Sequence, residues 1–183
     1  MKKVLFFLSC LFVCIMVDGQ ITFERTYGGP GYEQGNYGVQ TNDGGYIIVG
    51  QNWHSGPGGW DIGLLKTDSV GNTVWTKYFG GIGYDNGNAV LQTNDTGYII
   101  IGDKGSLSAD VYLIKTKANG DTLWTRTFGG FYDDMGFSIA QTYDNGFIIS
   151  GQTNASQNGF LEIYLIRTNA NGDTLWTKTF GAA

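Results

Sequence analysis

The side chains in this 183-residue chain that could do covalent chemistry are few. His54 is the single histidine, and both cysteines, Cys10 and Cys14, lie in an apolar N-terminal run. A Ser-His-Asp or Cys-His arrangement would have to be built on His54 alone, and no Gly-x-Ser-x-Gly elbow accompanies it. Carboxylates are the remaining candidates, and they come in sets. Asp61, Asp110 and Glu162 stand at one equivalent place, and Glu33, Asp85 and Asp134 at another. Around a central channel such sets could ligate a metal or serve as acid/base pairs. Carboxylates repeated at one place more often accept backbone N–H bonds in turns. Tyr132-Asp133-Asp134-Met135 has the densest charge, but it lacks the alternating Asp spacing and the distal Glu of an EF-hand loop. The expectation is therefore no catalytic residue, no metal and no cofactor. Gly28-Gly29-Pro30-Gly31 and Gly80-Gly81-Ile82-Gly83 look like phosphate loops, but no helix follows either one to hold a phosphate.

One stretch suits binding. Asn52-Trp53-His54-Ser55-Gly56-Pro57-Gly58-Gly59-Trp60 places two tryptophans in a Gly-rich loop. Trp53 and Trp60 would stack on sugar faces or form a protein hot spot, unless both rings pack over the edge of their own sheet.

What positions these residues is a repeat. Gly-Gly pairs end at Gly29, Gly81 and Gly130, and Trp75, Trp124 and Trp176 recur with them. From each second Gly the next 21 residues align without a gap, through Gly35, Gly87 and Gly136, then Gln40, Gln92 and Gln141, then Asp43, Asp95 and Asp144. Counted back from Trp, Lys66, Lys115 and Arg167 align, as do Asp61, Asp110 and Glu162. All length variation falls at 51–60, 103–109 and 152–161, which marks surface loops inside a fixed frame. Units of approximately 30–81, 82–130 and 131–181 follow within a repeat domain of 20–183.

The first 19 residues stand outside that domain. Met1-Lys2-Lys3, the apolar run Val4 to Val17 and the small residues near Gly19 read as a cleaved signal peptide, 1–19, and hence as a secreted or cell-surface protein. The run is too short to span a bilayer, and no later segment approaches that length. Cys10 sits too early for a lipoprotein signal. Cleavage takes the balance from 11 basic and 16 acidic residues to 9 and 15 and leaves no cysteine, so disulfides cannot stabilise the domain. An acidic chain with scattered Lys and Arg is expected to bind neither nucleic acid nor a membrane surface.

Thirty glycines, 15% aromatic residues and two prolines suit strands joined by tight turns. Tyr46-Ile47-Ile48-Val49 and Tyr98-Ile99-Ile100-Ile101 are β-branched runs bounded by Gly, which predicts strands buried on both faces. Asp43-Gly44 lies between two such runs and predicts a hairpin, with strands over Asn36 to Gln40 and Tyr46 to Gln51, then Trp60 to Thr67 and Thr73 to Phe79. Four strands per unit of 40 to 50 residues is the period of a propeller blade. The fold expected is all-β: a β-propeller-like array of three four-stranded antiparallel blades, an incomplete ring, after a signal peptide. Trp75, Trp124 and Trp176 then fill equivalent pockets between blades, and Ile21 to Gly29 supplies a spare last strand with Phe23 in the Trp position. Rings close with about four to eight blades. Three units therefore imply either a fragment of a larger protein or self-association to complete the ring.

The pattern from Asp110-Val111-Tyr112-Leu113-Ile114-Lys115 through Asn119-Gly120-Asp121-Thr122-Leu123-Trp124 to Phe128-Gly129-Gly130 and Asp134 resembles the bacterial seven-bladed β-propeller repeat called the SBBP repeat. The resemblance covers Ile21 to Phe180 and implies a large exported protein of the kind that often carries a type IX secretion sorting domain. It implies almost nothing about activity. The Asn-Gly-Asp-x-x-Trp string is also similar to the tryptophan-docking motif of quinoprotein propellers, whose dedicated cofactor residues are missing here. Asp68-Ser69-Val70, Asp121-Thr122-Leu123 and Asp173-Thr174-Leu175 resemble a bacterial O-glycosylation acceptor pattern. The function expected is a non-catalytic binding or adhesion scaffold whose partner is a glycan or cell-surface protein. The rival is a hydrolase or lyase using carboxylates such as Asp61 and Asp110 at the mouth of a completed ring.

Overall fold

The computed structural model describes residues 23–53, 59–105, 108–154 and 160–181. The expected signal peptide and His54 lie outside those residues.

Twelve strands and no helix occur among the described residues. β1 (Glu33–Gln40), β2 (Tyr46–Trp53), β3 (Trp60–Thr67) and β4 (Thr73–Phe79) form one antiparallel sheet in sequence order. β5 (Tyr84–Gln92), β6 (Tyr98–Gly105), β7 (Asp110–Thr116) and β8 (Thr122–Phe128) form the second. β9 (Asp134–Gln141), β10 (Phe147–Thr153), β11 (Glu162–Thr168) and β12 (Thr174–Phe180) form the third. The chain is thus an all-β, propeller-like array of three blades that does not close into a ring. The first strand of each blade packs against the blade before it, so β5 lies on β1, β2 and β3, and β9 on β5, β6 and β7.

Tight turns enforce this order. Gly44, Thr96 and Asn145 occupy the left-handed region at the same turn position, with φ of 79°, 68° and 61°. Glycine takes that conformation freely, asparagine tolerates it, and a β-branched threonine is strained there. The turns between the third and fourth strands use Gly71, Gly120 and Gly172, each at φ near +80°.

Period-2 alternation in β6 makes blade 2 the centre of two cores. Tyr98 and Ile100 join Ile47, Val49, Ile62 and Leu64 of blade 1, and Ile99 and Ile101 join Phe147, Ile149 and Ile166 of blade 3. This is the two-faced burial expected from the apolar run. The repeated tryptophans sit in these seams. Trp75 meets Tyr98 edge-on at 5.8 Å and Trp124 meets Phe147 at 6.3 Å. Trp176, on the open face of blade 3, is 40% exposed. Ile62 is fully buried against blade 2, whereas its equivalent Ile163 is 57% exposed. Burying one such side chain contributes about 1.5–3 kcal/mol.

The N-terminal segment differs from its expectation. Phe23 does take the Trp position, meeting Tyr46 at 5.7 Å and 65°, nearly the Trp75–Tyr98 geometry. Residues 23–31, however, form no strand. β4, β8 and β12 each pair with the third strand of their own blade, and among the described residues no such strand lies beside Phe23. Among the described residues, Arg25 Nε donates to Val70 O, Tyr27 Oη to Gly71 O and the Gly29 N–H to Glu33. β1 also begins three residues before its expected start at Asn36, because Glu33 to Gly35 pair with Gly50 to Asn52 ahead of a bulge.

Candidate functional site

Alternation of strand direction gives every blade two ends. The turns at 41–45 and 68–72 and their equivalents form a turn end. At the other end, the loop end, β2, β4, β6, β8 and β10 finish and the strands that follow them begin.

Trp53 and Trp60, the two binding candidates, are brought together at the loop end. They face each other in the β2–β3 register, with ring centroids 5.6 Å apart and planes at 75°. Tyr32 completes a cluster that sequence spacing did not reveal. Its ring lies 6.4 Å from Trp60, its carbonyl accepts the Trp53 N–H at 2.8 Å, and it is 76% exposed. A Cβ at Gly59 would fall 2.8 Å from Gly83 O, so the cluster adjoins the connection bearing exposed Ile82 and Tyr84. Phe131, Phe160 and Leu161 continue the exposed apolar side chains at the same end of blade 3. The signal in the sequence was an aromatic residue two or three positions after each Gly-Gly pair, at Tyr32, Tyr84 and Tyr132.

The two carboxylate sets make different contacts. Glu33, Asp85 and Asp134 each accept the N–H of the second Gly of the pair, from Gly29, Gly81 and Gly130, all at 2.9 Å. That is the turn-acceptor role expected of them. Asp61 and Asp110 behave differently. A Cβ on Gly80 would lie under 3.0 Å from both Asp61 Oδ1 and Asp85 Oδ2, so these oxygens are within about 5 Å of each other. Gly129 stands between Asp110 Oδ1 and Asp134 Oδ2 in the same way. Asp85 is 1% exposed, and the buried Oδ1 atoms of Asp85 and Asp110 have no hydrogen-bond partner among the described residues. Burial, then the neighbouring Asp61 charge, pushes the Asp85 carboxyl up; burial and Asp134 do the same to Asp110.

Lys66, Lys115 and Arg167 pair with another set, at the turn end. Lys66 Nζ meets Asp43 at 2.9 Å, Lys115 Nζ meets Asp95 at 2.9 Å, and Arg167 Nη2 meets Asp144. The Thr41 hydroxyl and then Lys66 hold the Asp43 carboxyl down at about 2, and Thr142 and Arg167 hold Asp144 at about 2. The aligned glutamines bind blade to blade here. Gln92 Oε1 accepts the Asn42 N–H, and Gln141 Oε1 accepts the Asn94 N–H. Lys77–Asp121 and Arg126–Asp173 ion pairs cross the same seams. The Asp-Thr-Leu strings lie on exposed turns entering β8 and β12.

A cavity of about 480 Å³ in blade 1 is lined by residues including Tyr27, Glu33, Ile48, Asn52 and Tyr78. No group of three or more potential metal-ligating side chains occurs among the described residues. No family model matches the chain, and no curated protein matches it.

Proposed function

We propose that this chain is an exported, non-catalytic β-propeller module of the SBBP type that binds a glycan or cell-surface protein through its loop end. The observation that carries this reading is the Tyr32–Trp53–Trp60 cluster. Three rings converge within 5.6 and 6.4 Å where the repeat is broken, beside the exposed Ile82 and Tyr84 of the next blade. Aromatic rings supply large contact area at little entropic cost and stack on sugar faces. Export rests on Met1-Lys2-Lys3 and the apolar run to Val17. The acidic balance favours neutral over anionic partners. Further blades of the same kind, in a longer chain or a second copy, cover the open faces, since Ile163 and Trp176 expose what their equivalents bury.

The test is binding to an array of neutral glycans and to isolated cell-surface proteins. A Trp53→Ala/Trp60→Ala variant is expected to lose roughly tenfold or more in affinity, as hot-spot aromatics do. Unchanged binding would remove the loop end as the contact surface.

A further inference from the structure

Both seams between blades place two carboxylates of one charge side by side, a costly arrangement that no sheet requires. We propose that Asp61 with Asp85, and Asp110 with Asp134, are proton-held clasps: each pair takes up one proton as the pH falls, and the loop end loosens when that proton is lost.

The close approach of the carboxylates recurs at two equivalent places of the repeat, while the unpartnered oxygen belongs to the first-strand aspartate at one seam and to the third-strand aspartate at the other. Gly80 and Gly129 lack the Cβ that would otherwise wedge the carboxylates apart, and each pair lies within about 5 Å. In each pair one oxygen is committed, Asp85 Oδ2 to Gly81 N–H and Asp134 Oδ2 to Gly130 N–H. Asp85 Oδ1 and Asp110 Oδ1 are buried without a partner. A proton on one carboxyl removes the like-charge repulsion and supplies a donor, so the two groups can close to an O–H···O⁻ hydrogen bond, the short charge-assisted kind. At the first seam the Gly81 and Gly105 N–H groups and Lys104 favour the charged form of Asp85, Asp103 is a further like charge beside it, and burial outweighs the favourable contacts. At the second seam Asp133 is engaged by the Ala109 N–H, and Tyr164 stands near both carboxylates. Pairs spanning β3 to β5 and β7 to β9 join consecutive blades, so their protonation sets how firmly the Trp53–Trp60 rim abuts the next blade.

Carboxyls pushed up in the fold bind protons more readily folded than unfolded. Stability must therefore rise as pH falls from neutral towards the ordinary aspartate value of about 3.9. The experiment is urea unfolding of the full chain from pH 7.5 down to about 4, the ordinary aspartate value. The wild type should gain in midpoint as pH falls. In an Asp85→Asn/Asp110→Asn variant each Asn keeps an acceptor and offers an N–H to its neighbour, as the protonated acid would. That variant should lose most of the gain and match the acidic wild type at pH 7.5. Asp61→Asn should remove about half of the gain. An equal gain in all variants would overturn the proposal by assigning it to His54 or another group. A double variant that unfolds at pH 7.5 while the wild type stays folded would overturn it too. So would stabilisation by millimolar calcium at pH 7.5 that Asp61→Asn abolishes, since the pairs would then hold a cation.

Discussion

The two ends of the blades use aspartate in opposite ways. At the turn end Asp43, Asp95 and Asp144 each meet a cation and a threonine hydroxyl, and Asp43 and Asp144 are held down at about 2. At the loop end Asp85 and Asp110 are buried beside another carboxylate and are pushed up. Acid therefore weakens one end and strengthens the other. Depressed carboxyls contribute stability that is present above about pH 3.9 and lost as pH falls towards 2, whereas raised ones contribute more as pH falls from neutral. The turn end is a fixed scaffold of ion pairs and glutamine bonds. The loop end carries the exposed aromatics and the arrangement that responds to the medium.

Both ends depend on the sheet packing between them, and the largest effect should come from removing it. Trp124→Ala is expected to cost about 3–5 kcal/mol in denaturant unfolding, and Trp176→Ala, on the open face, well under half of that. Equal losses would mean that the seam is not what Trp124 serves. Gly129→Ala sharpens the comparison at the loop end. Its methyl enters the space between Asp110 and Asp134 and should cost about 1–3 kcal/mol by overpacking. At the turn end Lys115→Met keeps the buried stem but removes the bonds to Asp95 and Thr116 O, for a loss of about 1–2 kcal/mol, because Asp95 remains largely in solvent. The smallest effect has the opposite sign. Thr96→Gly relieves a left-handed threonine and should stabilise by about 0.5–1 kcal/mol, measured as a raised urea midpoint.

Much of the scaffold was legible because repetition writes it three times. The aligned Gly-Gly pairs, the Asp43-Gly44 hairpin and the β-branched runs located strands and turns to within a few residues. The polar start of β1 was missed because Glu33, Gln34 and Gly35 show no apolar alternation; hydrogen bonding to β2 alone extends the strand. The pairing of Lys66 was likewise hidden. Asp61 is nearer along the chain, but the hairpin register places Lys66 opposite Ile47, close to the turn that carries Asp43. The site was half visible. Trp53 and Trp60 announced themselves by breaking the repeat, whereas Tyr32 joins them only through backbone pairing across the sheet. The carboxylate pairs belong to different blades, and nothing in linear spacing relates Asp61 to Asp85. The recurring Gly80 and Gly129 were the trace they left.

The most direct measurement is a carboxyl-carbon NMR titration of the assigned aspartates. Asp43 and Asp144 should titrate near pH 2, and Asp85 and Asp110 above the ordinary aspartate value of about 3.9. A common midpoint near 4 for all four would contradict the division of the blades into an ion-paired end and a proton-held end.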